Sequence, residues 1–126
     1  MIIKDSKLIR AIQKEFNDKF PFLKIEFYEK KHAMGEGSER ALKIDPGKII
    51  AEVRSKHNTG DLSINGHLKV KTLEKHFADD YGLNVQVFRK SGDLWLQTIA
   101  TDEWTLSEQN EHGSQSVTDS QGIINS

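Results

Sequence analysis

The chain repeats its own pattern, and that repeat constrains the fold more than any single motif. Ile12-Gln13-Lys14-Glu15-Phe16-Asn17-Asp18-Lys19-Phe20 lies over Leu73-Glu74-Lys75-His76-Phe77-Ala78-Asp79-Asp80-Tyr81 at a shift of 61. The same shift sets Ile3 on Ile64 and Ile9 on Val70. One deleted residue later, at a shift of 60, Leu23-Lys24-Ile25-Glu26-Phe27-Tyr28 matches Leu83-Asn84-Val85-Gln86-Val87-Phe88. Farther on, residues 45–52 lie loosely on 102–109 at a shift of 57. Self-similarity of this kind predicts two copies of one structural unit that complete a shared core.

Each half reads as strand, helix, strand, strand, short helix. In the first, Met1 to Lys4 is a short strand, and Asp5 or Ser6 is placed to cap the helix after it. Leu8, Ile12, Phe16 and Phe20 recur every four residues beside Ile9, which makes one apolar helical face. Pro21 stops that helix near Lys19, because the residue before a proline is pushed out of the helical region. Leu23, Ile25 and Phe27 alternate with Lys24 and Glu26 as a half-buried strand. Leu42 and Ile44 mark a return strand. Asp45-Pro46 is a favourable helix start, with Ile49, Ile50 and Val53 as its buried side.

The second half follows suit. Leu62 and Ile64 form the strand. Val70, Leu73, Phe77 and Tyr81 form the helical face, and Gly82 sits at the usual C-terminal stop. Val85 and Val87 point one way along the next strand. Ser91-Gly92 makes a tight hairpin to Asp93-Leu94. Thr105-Leu106-Ser107-Glu108 has capping-box spacing, and Gly113 is expected to end that last helix. Ten of the thirteen residues from Ser114 to Ser126 are Ser, Gln, Thr, Asp, Gly or Asn, so 114–126 reads as a poorly ordered polar tail.

Composition narrows the function classes. The chain has 126 residues, one domain's worth. Its 18 Lys and Arg against 19 Asp and Glu leave a formal charge of −1, which argues against a general nucleic-acid binder. It has no cysteine, so disulfides, zinc–thiolate sites and thiol nucleophiles are excluded. No apolar run reaches the roughly 20 residues of a membrane span. The first residues turn charged too early for a secretory signal, so a cytoplasmic protein is expected.

Two groups of residues are candidates for function. The first is the long hairpin loop 31–39, where His32 offers an acid, base or ligand. Gly35, Gly37 and Ser38 beside it free the backbone to expose amides. Glu36 in their midst disfavours a phosphate. The second group is aromatic. Trp95 has the opposite parity to Leu94 and Leu96. If those leucines face the core, Trp95 joins Tyr28 and Phe88 on the far side of the sheet. Trp104 is the other tryptophan, and such residues anchor interfaces. His57, His67, His76 and His112 show no metal-ligand spacing, and Asp79-Asp80 reads as a solvated helix end with Lys75 near. No nucleophile–base motif is present.

The phrase Leu62-Ser63-Ile64-Asn65-Gly66, Val70-Lys71-Thr72-Leu73-Glu74, Phe77, Tyr81-Gly82-Leu83-Asn84-Val85-Gln86-Val87-Phe88 resembles small conserved hypothetical proteins of Bacteroidetes-type bacteria. Asp102-Glu103-Trp104-Thr105-Leu106 and Gln109-Asn110 are similar to that family too. The resemblance spans about residues 1–113. It implies a bacterial cytoplasmic protein of duplicated α+β architecture, and it carries no known activity, cofactor or catalytic residue.

The sequence thus predicts one α+β domain over 1–113, with halves of about 1–56 and 57–113. Each half is a β-α-β-β-α unit. Together they share a mixed sheet with helices mainly on one face, followed by the tail. The expected function is a non-enzymatic protein-binding or self-associating module, such as a homodimer. No metal, cofactor, membrane or nucleic acid is expected. The alternative is a small-molecule binder or enzyme that uses the 31–39 loop.

Overall fold

The computed structural model describes residues 1–29 and 42–125, apart from the side chains of 120–125. Its elements are β1 (Ile2–Ile3), α1 (Ile9–Lys19), β2 (Leu23–Tyr28), α2 (Ile50–Val53), β3 (Gly60–Asp61), α3 (Val70–Tyr81), β4 (Asn84–Ser91), β5 (Leu94–Gln97) and α4 (Leu106–Asn125). The chain adopts the α+β class. β2, β4 and β5 form a sheet in that order, and β1 pairs with β3 in a second. Each of these pairings is antiparallel, so the sheet does not mix directions. The strand expected at Leu62 and Ile64 is displaced to 60–61, where it pairs with β1.

Strand alternation decides the layers. Across β2 and β4, Leu23 registers on Arg89, Ile25 on Val87 and Phe27 on Val85. Opposite residues of an antiparallel ladder share a face. The apolar members of these pairs join one core with Ile9, Ile12 and Phe16 of α1, Val70, Leu73 and Phe77 of α3, and Leu106 of α4. The Phe27 and Phe77 rings meet edge to face at 6.0 Å. The helices therefore cover this face of the sheet. Burying each such side chain contributes about 1.5–3 kcal/mol. The return strand expected at Leu42 and Ile44 is reduced to a bridge between Tyr28 and Lys43, with Ile44 N donating to Phe27 O at 2.8 Å.

The helix starts differ from expectation. Neither Asp5 nor Ser6 caps α1, and Asp45-Pro46 does not begin α2. Leu8 and Ile49 precede the two helices in extended conformation with no side-chain cap. Asp45 instead accepts from Gly47 N at 2.8 Å, in a turn before α2. The two lead-ins clasp one another through the backbone. Ile9 N donates to Lys48 O at 3.0 Å and Arg10 N to Pro46 O at 3.0 Å; Ile50 N donates to Lys7 O at 2.9 Å and Ala51 N to Asp5 O at 3.1 Å. These bonds satisfy first-turn amides that have no acceptor within their own helix.

The lead-ins of α3 and α4 make the same four bonds. Val70 N donates to Trp104 O at 2.9 Å and Lys71 N to Asp102 O at 2.9 Å; Leu106 N donates to Leu68 O at 2.8 Å and Ser107 N to Gly66 O at 3.0 Å. In this correspondence Lys48 matches Trp104, one residue away from the loose sequence alignment. α4 adds the capping box that its sequence predicts. Thr105 N donates to Glu108 Oε1 and Glu108 N to Thr105 Oγ1, each at 3.1 Å.

The C-terminus of α3 ties the halves together. Gly82 takes the left-handed conformation at φ 65°, which lets Gly82 N reach Ala78 O and Leu83 N reach Phe77 O, both at 3.0 Å. The next three carbonyls are met by side chains from the linker 54–58. Lys56 Nζ donates to Asp79 O at 2.5 Å, Asn58 Nδ2 to Asp80 O at 2.9 Å and Arg54 Nη1 to Tyr81 O at 3.1 Å. Two cations here offset the carboxylates of Asp79 and Asp80 and the negative end of the helix dipole. Lys75 also pairs with Asp79, as its spacing suggests.

α4 runs on through Gly113 to Asn125, so the polar segment expected as a tail is helical through 125. Gly113 is a point of close approach to Phe22 and Arg89 rather than a stop. The polar residues after it are not free of the fold. Ser116 Oγ accepts from Gly92 N at 3.1 Å and lies 3.1 Å from Lys90 O, which fastens the helix to the β4–β5 hairpin.

Candidate functional site

The β4–β5 hairpin is the most exposed apolar feature of the described residues. It turns at Gly92-Asp93, one residue later than its sequence suggests, with Gly92 left-handed at φ 58°. α4 holds it in place. Arg89 Nη1 donates to Gln109 Oε1 at 2.8 Å, and buried Gln109 donates on to Thr101 O at 2.7 Å and Thr101 Oγ1 at 2.8 Å. Phe22 N donates to Asn110 Oδ1 at 2.9 Å, and Lys90 N to Phe22 O at 2.9 Å.

β5 ends the order β2-β4-β5, so it is an edge strand among the described residues. Thr98 N donates to Val87 O at 3.2 Å, which fixes the alternation of the ladder. With Lys90 opposite Trp95 and Arg89 opposite Leu96, the backbone of Leu94 and Leu96 turns toward β4. The N–H and C=O of Trp95 turn outward.

The two sides of this edge differ in chemistry. Leu94 and Leu96 lie on the helix-facing side, as their shared parity predicts, yet they are not core. β5 lies lateral to the helices, and the leucines stay 66% and 43% exposed. On the other side Trp95 sits between two ammonium groups, Lys24 Nζ and Lys90 Nζ, each 5.1 Å from its ring centroid. Lys24 Nζ also lies 5.3 Å from the Phe88 ring. Each such contact contributes about 0.5–1 kcal/mol where water is near.

Deeper on this face, Glu26 opposes Gln86 across the ladder. Glu26 accepts from Gln13 Nε2 at 3.1 Å and pairs with Lys43 at 3.2 Å and Lys24 at 3.6 Å. Gln86 is 1% exposed and donates to Val87 O at 3.0 Å, while its Oε1 has no partner.

The structure sorts the predicted site residues as follows. His32, Gly35, Gly37 and Ser38 lie outside the described residues. Phe88 and Trp95 are half-buried neighbours on one face, joined by Lys24. Tyr28 shares that face but not that patch. It registers on Asn84 while Phe88 registers on Lys24, which puts them at opposite ends of the ladder. Tyr28 is buried, and burial together with the Glu26 carboxylate pushes its phenol up to about 12. Trp104 belongs elsewhere. It stacks on His112 at 4.5 Å and under the Arg89 guanidinium at 5.4 Å, on the helix side. It therefore braces the start of α4 and is not joined to Trp95.

Sequence reasoning passed over Lys24, Lys90, Leu94 and Leu96 as site residues. The signal for Lys24 was its place among alternating strand residues; the leucines' shared parity put them on one side of the sheet, but nothing in their spacing locates the edge of the helical layer.

A second polar cluster joins Asp5, Arg54 and His57. The buried Arg54 donates from Nε at 3.0 Å and Nη2 at 2.8 Å to Asp5 Oδ1, and from Nη2 to Asn58 O at 2.8 Å. His57 Nδ1 lies 2.8 Å from Asp5 Oδ2. The Arg54 guanidinium, seconded by His57, holds the Asp5 carboxyl below its ordinary 3.8. Among the described residues, no serine or threonine hydroxyl bonds to either His57 or Asp5. The cluster ties the linker to the lead-in of α1 and to the end of α3.

A shallow depression of about 350 Å³ is lined by Met1, Lys19, Asp61, Leu62, Ser63, Ile64 and Asn65. Its carboxylate, Asp61, is held by the N-terminal amine at 2.7 Å. Among the described residues no three His, Asp or Glu side chains group as metal ligands, and no helix is long and apolar enough to cross a membrane. Compared with protein-family models, curated proteins and solved structures, the chain matches none.

Proposed function

We propose that the chain is a non-enzymatic protein-binding module that receives an extended protein segment along β5. The observation that carries this reading is the edge itself. Its residues are Leu-Trp-Leu-Gln, and its two leucines remain exposed beside a tryptophan whose backbone groups point outward. Edge strands are commonly blunted by a charge, a proline or a bulge, and β5 carries no charge and no proline. An edge of this kind accepts a further strand through main-chain hydrogen bonds, with side-chain contacts on the two faces giving selectivity. The partner is a protein, either another chain or a second copy.

The matching bonds of the two clasps, with the sequence repeat, support reading the module as a duplicated unit. The bacterial cytoplasmic setting implied by the sequence resemblance belongs to this proposal too. Selection of displayed random peptides on the protein and on its Leu96→Lys variant tests the binding reading. Peptides enriched on the first and lost on the second are expected; identical enrichment on both contradicts it.

A further inference from the structure

The two sides of β5 also specify what kind of segment fits. We propose, resting on the reading of β5 as a binding edge, that the occupant is an extended acidic segment in which carboxylate side chains alternate with aliphatic ones. A strand added beside Trp95 continues both faces of the sheet, so its side chains fall alternately on each. On one face they meet Leu94 and Leu96, which are exposed by 66% and 43% and offer only aliphatic contact. On the other they meet the row that holds Trp95 and Lys90.

Among the described residues, charge on that second face is unbalanced. Glu26 is its buried carboxylate, and it is already shared between Lys43 at 3.2 Å and Lys24 at 3.6 Å. Lys90 makes no ion pair among the described residues, and its amine rests over the Trp95 ring at 5.1 Å. Strands lie about 4.8 Å apart, so an added strand stands roughly 9.6 Å from β4, and the extended Lys90 side chain, which passes over the Trp95 ring, reaches a carboxylate placed on it beside Trp95. A lysine at the same position meets two ammonium groups around Trp95 and is repelled. The pattern therefore selects by attraction on one face and by like-charge exclusion as well.

Three labelled eight-residue peptides test this, alternating Val with Glu, with Ser or with Lys. They are titrated into the full chain by fluorescence anisotropy, with light scattering on the same samples. The Glu peptide is expected to bind at least about 10-fold tighter than the Ser peptide, a difference of about 1.4 kcal/mol, and the Lys peptide weakest. Added salt weakens the Glu peptide. Lys90→Gln narrows the preference and Lys90→Glu inverts it.

Equal binding of all three overturns the acidic preference and leaves β5 as a binding edge. If none binds and the chain dimerises through a contact that Leu96→Lys abolishes, a second copy is the occupant and the acidic segment is overturned. If none binds and the chain is monomeric, both readings fail.

Discussion

Gly113 passes so close to Phe22 that a β-carbon on it would lie 2.8 Å from Phe22 Cβ and 3.1 Å from Phe22 O. These are not the far ends of a flexible side chain, so the helix or the start of β2 must shift to admit a methyl group. Gly113→Ala gains about 1 kcal/mol of helix propensity, but overpacking at such a contact costs about 1–3 kcal/mol. The variant is expected to be less stable in urea unfolding. A gain in stability would show that α4 is free to move away from β2.

Arg54 joins three parts of the fold that are distant in sequence: Asp5, Asn58 and Tyr81. Arg54→Met keeps much of its bulk and leaves the Tyr81 carbonyl without its donor. The expected loss is about 2–4 kcal/mol, read by chemical denaturation. The Asp5 contribution has a definite pH sign. A carboxyl held below its unfolded value stabilises the fold above that value, and the gain is lost as pH falls through the folded pKa, which lies below 3.8. In Arg54→Met this acid-dependent loss is expected to shrink.

Tyr28 supplies the opposite limb of the pH profile. Its folded phenol titrates at about 12 against an ordinary 10.0. The unfolded chain therefore loses this proton first, and stability falls as pH rises from 10 toward 12. Near-UV titration of the folded protein is expected to show tyrosinate from Tyr28 only late in that window. Tyr28→Phe removes this part of the alkaline destabilisation. A Tyr28 that titrates normally would place it in water, against its burial.

The capping box of α4 is a simpler case. Thr105→Ala removes the hydroxyl that meets Glu108 N and is expected to cost about 1 kcal/mol. Because the backbone bonds from Val70 to Trp104 and from Leu106 to Leu68 remain, the fold should persist. Thermal unfolding measures the shift.

These outcomes bear on what the sequence makes legible. Period-four and period-two apolar spacings identified α1, α3, β2 and β4, because burial on one face leaves a trace every turn or every second residue. Thr105 and Glu108 declared their box, and Gly82 its helix stop, because both signals are local. The starts of α1 and α2 were not legible, since the acceptors for Ile9 and Ile50 are carbonyls about forty residues away. Gly113 misled for a related reason: a glycine required by a distant neighbour looks the same as one that ends a helix. At the candidate site the parity of Leu94, Trp95 and Leu96 was readable, but exposure was not. That depends on how far the helices extend across the sheet, and no residue of β5 encodes it.

Amide hydrogen exchange at Trp95, with and without the alternating Val–Glu peptide, tests the central claim most directly. β5 as an open binding edge predicts that the Trp95 amide exchanges fast in the free monomer and becomes protected when the peptide is bound, while amides of the β2–β4 ladder stay protected throughout. A Trp95 amide already protected in the monomer, or one that the bound peptide leaves unchanged, would contradict it.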